Sequence, residues 1–201
     1  VRFAAKEKTG KTVEIASKNL LRQKHFSPVF MIGLERGTVR LSEYNPEWQR
    51  LFAEEAEVLR EMLGDCVLEI QHVGSTSIKG LTAKPIIDIA AALRKIEDVA
   101  QCVKPLESIG YEYKGENGIP ERHFFAKGNP RKFHLHFVKK DGNLWRNYIN
   151  FRNRLRENVE LKNEYARIKK DSAKKYEQNR AAYTESKEPF IEKVLKQKNY
   201  I

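Results

Sequence analysis

The chain is expected to fold as an α+β domain, a mixed sheet flanked by helices. Two apolar runs of strand length, residues 67–73 and 86–93, lie on either side of a loop rich in Gly, Ser and Thr. A third run, Phe133-His134-Leu135-His136-Phe137, alternates with a period of two. Stretches with apolar residues three and four apart precede, separate and follow these runs. Strands interspersed with helices, and then a helical end, suit one sheet covered by helices.

Residues 36–41 look like a short strand. Asn45-Pro46-Glu47-Trp48 reads as a helix start, with Asn45 as N-cap, Pro46 at the first helical position and an acid in the first turn. Trp48, Leu51, Phe52, Ala56, Leu59 and Leu63 form one apolar stripe, and Gly64 ends the helix; Trp48 and Phe52 are read as core. Residues 67–73 and 86–93 are the two central strands. Residues 96–110 form an amphipathic helix that Pro105 kinks or shortens and Gly110 caps. Strands follow at 111–114, 122–127 and 133–139, with Gly128-Asn129-Pro130 turning between the last two. Alternation puts His134 and His136 on one face. Residues 115–121 make a Gly/Pro-containing loop over or beside a pocket. Helices are expected from Trp145, over about 159–175, and over 186–198.

The formal charge is +11, and it is unevenly placed. Residues 1–30 carry seven Lys/Arg and two acids, residues 31–140 sixteen of each, and residues 141–201 fifteen and nine. A neutral centre with basic ends admits nucleic acid, nucleotides or an anionic surface as partners, or simply a solvated face. No apolar stretch is long enough to span a bilayer, so no membrane role is expected. Cys66 and Cys102 stand far apart in no metal-binding spacing, which reads as free thiols in a reducing, cytoplasmic setting. Residues 1–30 read as a basic extension or an artefact of the assigned start, and residues 31–198 as the domain.

Asp88 is the odd residue of the second strand. A carboxylate within an apolar strand is costly unless it is paired or holds a metal. The preceding loop, with Gly74, Ser75 and Thr76, offers backbone N–H groups to an anion. Loop and acid are close enough to share a pocket; the alternative is a turn and a helix-capping Asp. If strand 133–139 lies beside strand 86–93, His134 and His136 join Asp88, a set suiting a transition metal better than magnesium. Otherwise the histidines hydrogen-bond the acid. His72 is a base, a phosphate partner or a buried support. Lys79 and Lys84 are natural anion contacts, Arg122 can clamp a phosphate or carboxylate, and His123 beside it is a similar candidate. Ser75 lacks the Gly-x-Ser-x-Gly setting of an acyl-transfer nucleophile.

The run from His72-Val73-Gly74-Ser75-Thr76 through Lys84-Pro85-Ile86-Ile87-Asp88-Ile89 closely resembles the GrpB family. Tyr44-Asn45-Pro46-Glu47-Trp48, Arg122-His123, His134-Leu135-His136 and the end from Arg180 to Lys187 fit it as well, so the resemblance covers about residues 31–198. It implies a nucleotidyltransferase-like fold. In that superfamily a Gly-Ser pair precedes an Asp-x-Asp strand, and a later strand supplies a third carboxylate. Gly74 and Ser75 match the pair and Asp88 one acid; Ile86 stands at the other acid's place, and His134 and His136 on the later strand. An ordinary two-metal site needs more carboxylates than this.

The resemblance thus implies a divalent-metal nucleotidyl or phosphoryl transferase acting on a small phosphorylated substrate. The catalytic and metal residues would be Asp88, His134 and His136; the ligand contacts His72, Gly74, Ser75, Thr76, Lys84, Arg122 and His123. One alternative is a non-catalytic module for a nucleotide- or CoA-related ligand, since the family occurs fused to dephospho-CoA kinase. Another is nucleic-acid binding through the basic helices. Whether the chain is an enzyme stays open at this point.

Overall fold

The computed structural model describes residues 32–196, and the expectations for residues 1–30 lie outside them. Helix α1 spans Glu47–Leu63, followed by strands β1, Glu69–Val73, and β2, Ile87–Leu93. Helix α2 is Val99–Ser108, and β3, β4 and β5 are Tyr111–Tyr113, His123–Lys127 and Phe133–Lys139. Four helices close the described chain: α3 Asn143–Glu157, α4 Val159–Lys175, α5 Arg180–Glu185 and α6 Glu188–Lys196. The five strands form one sheet in the order β1-β2-β5-β4-β3. The β2–β5 pair is parallel and the other pairs antiparallel, so the expected mixed sheet flanked by helices is the one observed.

The two faces of the sheet have different tasks. Ile87, Ile89, Leu93, Leu135, Phe137 and Phe125 are fully buried on the face that meets α1. Trp48 and Leu59 of α1 are equally sealed. The α1 start is held by Asn45, whose Oδ1 accepts the Glu47 N–H at 2.8 Å, and Gly64 ends the helix at φ 50°. The opposite face carries Val73, Ala90, Ala92 and Val138, packed against Trp145 of α3. Beyond it, Ile78 and Leu81 of the loop join Leu155, Tyr165, Phe190 and Val194 of the later helices in a second cluster. The small Ala90 and Ala92 leave space on this face that the larger residues of the other face do not.

Two sequence expectations change. Residues 36–41 form no strand; single bridges, Leu34 to Arg131 and Ser42 to Ala83, flank this stretch on either side. Its neighbours are loops, so no ladder can propagate from Val39 although that residue is buried. The helix expected over 186–198 starts at Glu188, after a separate turn of helix at Arg180–Glu185. Pro189, which lacks an N–H, fits the first turn of the new helix. Cys66 and Cys102 are free, as expected, yet their sulfurs lie 3.0 Å apart.

Candidate anion-binding site beside Asp88

The parallel register of β2 and β5 sets Asp88 opposite His134 and Ala90 opposite His136. Directly paired residues share a face, so the carboxylate and both imidazoles point the same way. His134 Nδ1 lies 3.0 Å from Asp88 Oδ1, and His136 Nε2 3.6 Å from the same oxygen. Tyr148 of α3 stands 3.4 Å from His136 Nδ1. Phe124 on β4 backs both rings, with centroid distances of 5.1 and 5.2 Å.

Burial pushes the Asp88 carboxyl up, but hydrogen bonds from His134 and His136 outweigh it and hold it well below the usual carboxylate range. Burial lowers His134 against the pull of Asp88. The ring is therefore neutral, with Nδ1–H donated to the carboxylate. Its Nε2 is buried without a hydrogen-bond partner among the described residues.

The antiparallel register of β1 and β2 sets Val73 opposite Asp88 and so brings the next residue, Gly74, over the carboxylate. A Cβ at Gly74 would stand 2.5 Å from Asp88 Oδ2. The backbone there, φ 66° and ψ −173°, is also open to glycine almost alone. A single turn follows, Ser75–Ser77, closed by the Ser77 hydroxyl donating to Gly74 O at 2.6 Å. Helix α3 fixes both ends of this unit. Arg152 donates to His72 O at 3.0 Å, and Arg156 to Ser77 O at 2.8 Å.

Gly74, Ser75, Thr76, Asp88, His134 and His136 line one cavity of about 450 Å³. Lys84 and Arg122, both expected as ligand contacts, line it too. Arg122 is held by the carbonyls of Glu116 and Asn117, each at 2.9 Å, so the 115–121 loop does reach the pocket, where Ile119 also contributes.

Two candidates stand elsewhere. His72 is on the α1 face, stacked on Phe52 at 4.6 Å and bonded to Gln49 and Thr76. Burial lowers it to about 3, and it props the turn from behind. His123 faces away, 2.6 Å from the Tyr113 hydroxyl. An alternating strand cannot present neighbours to one face, which separates His72 from Val73 and His123 from Arg122. Lys79 also falls outside, in a neighbouring groove with Arg156 and Lys162.

The later helices add cations that the sequence reading left out: Lys169 from α4, Arg180 at the start of α5, and Lys187 just before α6. Among the described residues none of these, nor Lys84, has a carboxylate within ion-pair distance. Tyr183 sits between two of them, with Lys187 Nζ 4.3 Å and Lys84 Nζ 5.2 Å from its ring centroid. Lys169 is 2% exposed, lies over the Tyr165 ring at 4.8 Å, and donates to Thr82 O. Burial lowers Lys84 to about 7, helped by the charges of Lys187 and Arg180. It lowers Lys169 to about 7 and Lys187 to about 8. The stretch from Arg180 to Lys187 was visible as part of a motif, but Lys169 looked like any lysine of a charged helix.

The metal expectation meets a different arrangement. Among the described residues no group of three or more His, Cys, Asp or Glu is placed to hold a metal ion. His134 Nδ1 and His136 Nε2 are directed at Asp88 Oδ1 and not with it at an outside point. As arranged, the three do not fit a shared ion. Nor is any described helix long and apolar enough to cross a membrane.

The family profile described as GrpB protein matches residues 38–197. The chain belongs to the GrpB family. It is 36% identical over 171 residues to the glutamate-rich protein GrpB of Alkalihalophilus pseudofirmus, covering 82% of this chain and 98% of that protein. The UPF0157 protein YqkA of Bacillus subtilis is 35% identical over 181 residues, 90% of this chain but 51% of YqkA, so the chain spans about half of that relative. The crystal structure of the conserved protein GrpB from Enterococcus faecalis superposes with a TM-score of 0.72 at 37% identity, over 77% of this chain and 94% of that one. The GrpB match takes in all of the cavity lining described above.

Proposed function

We propose that the cavity binds a phosphorylated, nucleotide-like small molecule. One observation carries this reading: Lys84, Lys169, Arg180 and Lys187 converge on a single cavity, and among the described residues no carboxylate lies within ion-pair distance of any of them. Lys169 is buried and the other three are half-buried; cations so enclosed repel one another and lose solvation, a cost that an incoming polyanion removes. Ser75 offers its hydroxyl and Ser75 and Thr76 backbone groups at the same wall, and Phe151, Leu144 and Ile191 supply an apolar side for the rest of the ligand.

Calorimetry with a panel of nucleoside phosphates, CoA precursors and inorganic pyrophosphate tests the reading. At least one is expected to bind, and Lys84→Met to weaken it by about tenfold or more. The same substitution is expected to raise the melting temperature of the free protein, because it removes a desolvated charge. Weaker binding in a more stable variant rules out damage to the fold. No binding across the panel would overturn the proposal.

A second reading is metal-dependent nucleotidyl or phosphoryl transfer at Asp88. Its favouring observation is that the ionised Asp88 lies in the cavity that would hold the phosphates. A carboxylate facing bound phosphates calls for a cation between them, and Asp88 would have to part from the histidines to take one. Asp88→Asn is then expected to abolish turnover with magnesium or manganese while keeping ligand binding. Absence of turnover with every metal and acceptor in the wild type leaves binding as the function.

A further inference from the structure

We propose that Cys66 and Cys102 form a reversible disulfide, an oxidative modification site on the face of the sheet opposite the cavity. Their sulfurs are 3.0 Å apart, closer than two unbonded sulfur atoms rest and about 1 Å longer than a disulfide bond. Both thiols point at one acceptor, Asp98 O, at 3.8 and 3.9 Å, so the two sulfurs meet at one spot beside that carbonyl. Cys66 lies in the turn after α1 and is half-buried, and Cys102 is on α2 and buried.

The two residues therefore divide the chemistry. Cys66, the reachable one, attacks hydrogen peroxide as its thiolate; an S–O bond forms, the O–O bond breaks, and hydroxide leaves. The Cys102 thiol then attacks the sulfur of the Cys66 sulfenic acid, forming the S–S bond and releasing water. Burial, with Cys66 beside it, pushes the Cys102 thiol up, which keeps that sulfur out of the first step. The overall change is two thiols and one peroxide to one disulfide and two waters.

The bond would close the segment between positions 66 and 102. That segment contains β1, the Gly74–Ser77 turn and β2 with Asp88, which makes the cross-link a staple around the strands of the site. Loop closure of this length stabilises through the unfolded chain. Because the cysteines belong to the α1–α2 layer, the cavity keeps its shape in both redox states.

The test treats the full chain with equimolar hydrogen peroxide and measures intact mass, free thiols after unfolding, melting temperature and binding of the cavity ligand or, failing one, of pyrophosphate. The expected result is loss of two hydrogens within one chain, loss of both free thiols, and a melting temperature raised by on the order of 5–10 °C, all reversed by dithiothreitol. Cys102→Ser is expected to show addition of oxygen at Cys66 and no rise; Cys66→Ser is expected to stay unmodified, which guards against misfolding in either variant. Oxygen added to Cys66 of the wild type with Cys102 still alkylatable, or a disulfide formed only between chains, would overturn the assignment.

Discussion

Gly74→Ala is expected to destabilise the domain by about 2–4 kcal/mol and to separate Asp88 from His134. Two costs act together. The backbone at φ 66° and ψ −173° is one that a residue with a Cβ adopts at a cost of about 1–3 kcal/mol. The added methyl would also meet Asp88 Oδ2 at 2.5 Å, and the carboxylate cannot retreat without losing the 3.0 Å contact to His134. Denaturant unfolding of Gly74→Ala, Asp88→Ala and the double variant separates the two. Relief of the clash in the Asp88→Ala background should reduce the cost of Gly74→Ala by about 1 kcal/mol or more, leaving the backbone part. An equal cost in both backgrounds would mean that contact with Asp88 is not what demands glycine. The carboxylate and the turn are one fitted unit, so ligand binding should fall with the substitution even at temperatures where the variant remains folded.

Ligand affinity is expected to fall as the pH rises above about 7, with protons taken up on binding. Lys84 and Lys169 titrate near 7 and Lys187 near 8 in the free cavity. They face Arg180, Arg131 and Lys170 as well as the acids Asp88 and Glu188, and a bound phosphate tips this balance toward the charged ammonium. Below pH 7 the lysines are protonated with or without ligand, and they add no pH dependence. Above it the free site has shed protons that the bound site keeps, so binding becomes weaker with each step in pH.

The stability of the unliganded protein moves the other way. An unfolded lysine keeps its proton to about 10.5, so between 7 and 10.5 the unfolded chain binds more protons than the folded one. These lysines therefore destabilise the fold most below pH 7, and that burden is relieved progressively from about pH 7 to 8, where they lose their protons in the fold, up to about 10.5, where the unfolded chain loses them too. Calorimetry in buffers of different ionisation enthalpy, at about pH 7.5 to 9 with a nucleoside phosphate whose last ionisation lies at about 6, reads the proton uptake directly. Binding without proton exchange over this range would mean that the lysines are charged before the ligand arrives.

The sheet was readable because burial on both faces leaves few choices. Strand β5 was expected over residues 133–139 and occurs there, and its alternation correctly placed His134 and His136 together. Asp88 was conspicuous because nearly everything beside it on its strand is apolar. What periodicity cannot carry is which surface of a charged helix another helix will cover. Lys169 sits among Arg167, Lys170 and Lys174 and differs from them because it lies over the Tyr165 ring and lines the cavity. The two cysteines were likewise distant in sequence, and nothing in their spacing announces that α2 returns beside the turn after α1. Residues 36–41 had a strand's composition and no strand edge to use it on.

The parallel pairing of β2 with β5 carries a kinetic consequence. Asp88 and His134 are 46 residues apart, and α2, β3 and β4 all lie between them in the chain. Such distant contacts close slowly, since the loop must be ordered before the pairing rewards it. Three of the four cavity cations, Lys169, Arg180 and Lys187, arrive later still in the chain. A nascent or truncated chain thus contains the residues of the Gly74 turn and β2 long before it has a pocket. Ligand capture would then mark the finished molecule, and a ligand present during refolding should leave the early rate unchanged while slowing unfolding.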